Sequence, residues 1–192
     1  MRFPKGELAA YGRSYHEAAQ RLVKHIASQP QRGYRDPDAC PIVFLYRHAV
    51  ELYLKAIIHW GNNLLWLNGK PTVPHKNIFS EHRLRVLLKS VKPILQFRKQ
   101  LKNWGNSHFD CFRDVEEVIG ELEEFDPGSY SFRYPVDTTG ENATLPHHFL
   151  FNVIAFGEKF DQLIAVLDWL SFVVYEDFQS QAEAFHELQH RS

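Results

Sequence analysis

The segment Ile42–Trp60, IVFLYRHAVELYLKAIIHW, constrains this chain more than any other. It is apolar on nearly every side, the pattern of a helix enclosed by other helices. Yet His48, Glu51, Lys55 and His59 follow one another along it at steps of three, four and four. At 3.6 residues per turn these four fall within about 80° of the helix circumference, with Arg47 beside them. Charges inside a bundle must be paired or hydrogen-bonded, because desolvating them alone is too costly. The helix therefore demands polar partners from elsewhere in the chain. Those partners make either a structural lock or a working site.

The flanking sequence is helical in pattern. In residues 7–28, Tyr11, Tyr15, Ala18, Leu22 and Ile26 recur at steps of four and three, an amphipathic helix. After the loop QPQRGYRDP, Asp38 is the candidate cap and Pro41 the first-turn residue of the central helix. Gly61-Asn62-Asn63 is expected to stop that helix, leaving Leu64 to Leu67 as a loop tucked against the bundle. Ser80 is a candidate N-cap for a third helix whose buried stripe is Leu84, Leu87, Leu88 and Val91, with His82 and Arg83 in its first turn. A fourth helix buries Phe112, Val115, Ile119 and Leu122 and turns Glu116, Glu117, Glu121, Glu123 and Glu124 to water, ending at Asp126-Pro127-Gly128.

Residues 129–143, SYSFRYPVDTTGENA, change character. Tyr130, Phe132 and Tyr134 alternate with Ser131 and Arg133, a strand-like period of two, which predicts a small hairpin or extended insert. A long last helix then starts near Pro146. Phe149, Val153, Phe156, Phe160, Leu163, Leu167, Leu170 and Val174 form its heptad stripe, and Val166, Trp169 and Val173 widen it. That width asks for a second covering helix, which another copy of the chain can supply. The polar tail 176–192 is expected to fray. The whole reads as one mainly α domain, 1–192, a bundle of four to six helices.

Net charge is −1, so no overall basic field advertises nucleic acid. Cys40 and Cys111 form no CxxC, which suits a reduced, cytoplasmic protein. The N-terminus lacks a signal-peptide core, and LIAVLDWLSFVVY is too short to span a membrane. No Walker A loop, GxGxxG, HExxH or GxSxG occurs, and neither a cofactor nor a metal is expected.

Three strings carry a resemblance. LYRHAVELYLKAII, EHRLRVLLKSVKPIL and EEFDPGSYSFRYPVDTTG, followed by a long final helix, resemble a bacterial family of HEPN-domain proteins over about Ile42 to Leu170. The most specific pieces are Arg47-His48-x-x-Glu51-x-x-x-Lys55 and Phe132-Arg133-Tyr134-Pro135-Val136-Asp137. The resemblance implies an up-and-down helical bundle that forms homodimers. It also implies a metal-independent ribonuclease or RNA-binding effector in phage defence or a toxin–antitoxin pair, with an antitoxin or defence component as protein partner. Other members are non-catalytic binding or assembly domains. The family's ribonuclease signature, an Arg followed by a His after four to six residues, is absent from this sequence.

Two assignments of the polar residues follow. As a catalytic site, His48 or His82 would move protons and Arg47 would hold phosphate, with Glu51, Lys55 and Arg133 binding or orienting. As a lock, Glu51, Lys55 and Arg133 would form a buried ion-pair network tying the insert to the bundle, with His48 and His82 as polar neighbours. Three function classes stand: an RNA-directed effector, a non-catalytic dimerisation or adaptor module, and a small-ligand or nucleotide sensor. They are separated by a basic cleft between two copies, a sealed network, or a closed polar cavity.

Overall fold

The central helix is α2 (Asp36–Leu67), which packs on α1 (Leu8–Ala27), α3 (Leu84–Phe97) and α5 (Val153–His190), while α4 (Phe112–Phe125) packs on α3. This computed structural model describes residues 7–28, 36–74, 78–106, 108–126, 128–137, 139–144 and 152–190. The expected helix start at Pro146 and the stripe position Phe149 lie outside them. The result is a mainly α bundle with a long C-terminal helix. Ile42, Val43, Tyr46, Ala49, Val50, Tyr53, Leu54, Ile57 and Ile58 of α2 are all buried, as an all-round apolar helix requires.

Contacts fix the directions. Gly12 faces Tyr53 while Tyr15 faces His48, so α1 runs antiparallel to α2. Tyr46 meets Phe156 and Trp60 meets Phe178, so α5 runs parallel to it. The α1 face differs from the expected one. Tyr11 and Leu22 are exposed, whereas Gly12 and Ala19 are buried, with Val23 packed beside them. Small residues let the α1 backbone approach α2, and that closeness rotates the large side chains outward.

The predicted ends of α2 are both corrected. It begins at Asp36, placing Asp38 within the helix, and it continues through Gly61-Asn62-Asn63 to Leu67. Gly61 is a contact residue and not a stop: a Cβ there would lie 2.5 Å from the Ile94 side chain. Asn62 turns its amide to the Val73 backbone, accepting from N–H at 2.8 Å and donating to C=O at 3.3 Å. The true stop is Gly69, at φ +62°. Lys70 N–H bonds Leu65 C=O and Gly69 N–H bonds Trp66 C=O, the paired closure of a helix ending in a left-handed residue.

α3 begins at Leu84, so His82 and Arg83 precede it and Ser80 does not cap it. The cap comes from another helix. Glu123 of α4, expected in water, is buried and accepts the Arg85 N–H at 3.1 Å, satisfying an orphan donor of α3's first turn. The insert keeps a minimal hairpin, with Val136 bridged to Ala143, the Asp137 N–H donating to the Asn142 carbonyl at 2.8 Å and Gly140 at φ +76° in the turn, but the alternating stretch before it is corrected. Residues 131–133 form a turn, and the only β pairing described within the insert is one bridge, Val136 to Ala143. Period two fails because the Asp126 carboxylate takes the N–H groups of both Tyr130 and Ser131, bending the chain and stacking Tyr130 on Tyr134. The tail does not fray within the described residues. α5 reaches His190, held by Asp177 on Arg98 at 2.5 Å, Gln181 on Asn68 at 2.6 Å and Phe178 on Trp60.

Candidate functional site

Depth divides the polar file of α2. Arg47, Glu51 and Lys55 are buried, while His48 and His59 are only partly covered. Glu51 is the hub. Its Oε1 accepts from Lys55 Nζ at 2.7 Å and lies 3.1 Å from Nδ1 of His82, and its Oε2 lies 3.5 Å from Arg47. Lys55 also donates to the Phe79 carbonyl at 3.2 Å. Helical spacing of four brings Arg47, Glu51 and Lys55 onto one face, and the segment before α3 closes over them.

Arg47 is the most deeply enclosed charge. It has no exposed surface, donates to the His82 carbonyl at 2.7 Å, and places Nε 3.0 Å from Asp126 Oδ2. That Nε contact is off the N–H axis, so it acts as an ion pair and not as an aligned hydrogen bond. Burial pulls the guanidinium below its ordinary pKa, and Asp126, Glu51 and Glu123 pull it back. Two buried cations, Arg47 and Lys55, thus meet two buried carboxylates, Glu51 and Asp126.

Asp126 ties this network to the insert, because its other oxygen holds the Tyr130 and Ser131 N–H groups at 2.6 and 2.8 Å. The expected partner, Arg133, does not join. Its side chain is exposed, bonds the Ser129 carbonyl, and lies 5.7 Å from the ring centres of both Phe44 and Tyr134. A guanidinium on an aromatic surface is stable without a carboxylate. The network that fastens the insert therefore runs through Asp126 in place of Arg133.

His48 sits on the aromatic edge of this region, edge-on to Tyr15 at 4.5 Å and stacked on Phe44 at 5.7 Å. Burial lowers its pKa from 6.5, with Glu51 opposing, which favours a neutral imidazole at neutral pH. His82 is different: half its side chain is exposed and it rests on a buried carboxylate. His82 is open to solvent and Arg133 can meet an anion, but Arg47 has no path to either.

Sequence reasoning missed two groups. Asp126 was legible only as a helix stop, although two cations against Glu51 alone call for a second acid. The other is a cluster in which Asp161 Oδ1 binds His16 Nε2 at 2.6 Å and the Tyr46 hydroxyl at 2.8 Å, joining α1, α2 and α5. No local pattern announces it. Among the described residues no group of three His, Cys, Asp or Glu is placed to hold a metal, and no helix is long and apolar enough to cross a membrane. No family model, curated protein or solved structure matches this chain.

Proposed function

We propose that the chain is a HEPN-like, non-catalytic assembly module, a helical domain of a bacterial defence or toxin–antitoxin system that acts by holding a protein partner in the cytoplasm. The observation that carries this reading is the sealing of Arg47, whose side chain has no exposed surface and is consumed by Asp126, Glu51 and the His82 carbonyl. A catalytic arginine must reach the charge that develops on its substrate. This one balances charges inside the protein. The absent Arg-to-His spacing supports the same view, as does the ring-stacked, partly buried His48.

The second reading, a metal-independent ribonuclease or RNA-binding effector, draws on one specific observation. Half-exposed His82 on buried Glu51 is an imidazole–carboxylate pair open to solvent, and the insert carries an exposed cation, Arg133, over the Phe44 ring. The test separates them. Purified protein is incubated with total RNA and tRNA, wild type beside His48→Ala, His82→Ala and Arg133→Ala, with circular dichroism on each. The assembly reading expects intact RNA throughout. Cleavage by the wild type that vanishes in a folded His82→Ala protein would overturn it in favour of the nuclease.

A further inference from the structure

Two sides of α5 carry opposite chemistry. Phe160, Leu163, Leu167, Leu170 and Val174 are buried against the bundle. On the outer side, Glu158, Ala165, Trp169, Phe172, Glu176 and Glu183 are all exposed, and at 3.6 residues per turn they share an arc of about 60°. Phe172 is 58% exposed and Trp169 39%, so the centre of this strip is aromatic and wet. Isolated exposed apolar residues need no explanation, but two large rings one turn apart on one helix face form a patch.

The unpaired charges around that patch have one sign, since the cations beside it, Arg13, Arg98 and Lys159, are each held by a carboxylate: Asp168, Asp177 and Glu121. From Phe160 to Phe185 the helix contains no Lys, Arg or His, against Asp161, Asp168, Glu176, Asp177 and Glu183. The three aspartates are engaged within the chain, by His16, Arg13 and Arg98. Glu158, Glu176 and Glu183 lie on the outer arc and pair with no cation among the described residues. An aromatic centre is thus bracketed, above and below, by uncompensated carboxylates.

This pattern selects the occupant. A second copy fits poorly. An antiparallel two-fold pairing that sets Trp169 against Phe172 also sets Glu158 against Glu183, and a parallel pairing in register sets each glutamate beside itself. Like charges across an interface are repulsive, and natural interfaces use that repulsion to refuse partners. The same field repels a phosphate backbone. A helix whose apolar stripe is flanked by Lys or Arg satisfies both the rings and the carboxylates. We infer that the outer face of α5 docks a basic amphipathic helix from a different protein. Its apolar residues cover Trp169 and Phe172, and its cations face Glu158, Glu176 and Glu183. The inference rests on the assembly reading and supplies the chemistry of the partner.

The probe is a labelled Leu/Lys amphipathic peptide of about 18 residues, five helical turns, with a Leu/Glu peptide of the same pattern as control. Fluorescence anisotropy against the full chain is expected to show the Leu/Lys peptide binding at least tenfold tighter than the Leu/Glu peptide. Phe172→Ser and Glu176→Lys should each weaken it about tenfold or more, while Glu124→Lys, on the exposed side of α4, leaves it unchanged. Equal binding of both peptides, no binding, or an equal loss in Glu124→Lys would overturn the inference. Tighter binding after removal of residues 1–6 would overturn it by assigning the face to the chain's own basic N-terminus. Sedimentation velocity covers the remaining occupant. A wild-type dimer that becomes monomeric in Phe172→Ser would give the face to a second copy, overturning the basic partner while leaving an assembly module intact. Failure of the assembly reading shows separately, as RNA cleavage.

Discussion

Two polar clusters stitch α2 to its neighbours at nearly the same distances. Arg47 donates to the His82 carbonyl at 2.7 Å, and His16 meets Asp161 at 2.6 Å with the Tyr46 hydroxyl at 2.8 Å from the same oxygen. What separates them is water. The Glu51 side chain is 1% exposed and that of Asp161 is 38%. In the first cluster every charge depends on another charge, because no solvent can replace a lost partner. In the second, solvent stands ready at one side. Contact length therefore does not rank the two; dielectric surroundings do. The same difference bears on function, since a group that water cannot reach is also one that substrate cannot reach.

The buried cluster is most vulnerable at Glu51. Glu51→Ala leaves Arg47 and Lys55 buried without their shared carboxylate and is expected to cost about 3–5 kcal/mol of stability, read from urea denaturation. A loss below about 1 kcal/mol would mean that water enters the network and that it is no lock. Asp126→Ala is expected to cost about 3 kcal/mol, since it removes one of Arg47's two buried counter-charges and orphans the Tyr130 and Ser131 N–H groups. It should also release the insert, seen as faster proteolysis between residues 129 and 143. Intact resistance there would show that Arg133, and not Asp126, holds it.

His48 tests the boundary between the two regimes. Its folded-state pKa is depressed by burial, so the unfolded chain binds the proton more readily. Stability from this residue is present in full above the unfolded value, near 6.5, and is lost as pH falls from there through the lower folded value. Denaturation midpoints should therefore drop on acidification from neutral pH, and the drop should shrink in His48→Phe, which keeps a ring between Tyr15 and Phe44. An unchanged drop would place the acid sensitivity elsewhere. Tyr46→Phe removes one hydrogen bond while Asp161 keeps His16, an expected cost of about 1 kcal/mol. Arg13→Ala cuts a pair that is open to solvent on both sides, Arg13 with Asp168 at 3.1 Å, and should shift stability by less than about 1 kcal/mol. If Arg13→Ala cost as much as Glu51→Ala, burial would not be the governing variable.

Much of the bundle was legible from periodicity. The buried stripes of α3, α4 and α5 fell where steps of three and four placed them, because a helix facing a core must repeat its apolar residues at that spacing. The errors cluster where a residue's role is set by a distant neighbour. Gly61 resembled a stop but accommodates Ile94. Glu123 resembled a wet acid but caps α3. Tyr130, Phe132 and Tyr134 alternated like a strand until Asp126 turned the backbone.

The pattern of Ile42 to Trp60 already requires a helix apolar all round at the centre, and requires that its file of charges be answered from elsewhere. Both follow from local facts, the helical period and the cost of desolvating a charge. Which groups answer depends on how the helices pack. Asp126 lies 79 residues from Arg47, and no spacing along the chain links them. Packing brings that carboxylate to the arginine while leaving Arg133 outside on its aromatic surface. Ion pairing acts over a few ångströms of space and is blind to sequence separation. The need for a partner was therefore written along the helix, and its identity only in the fold.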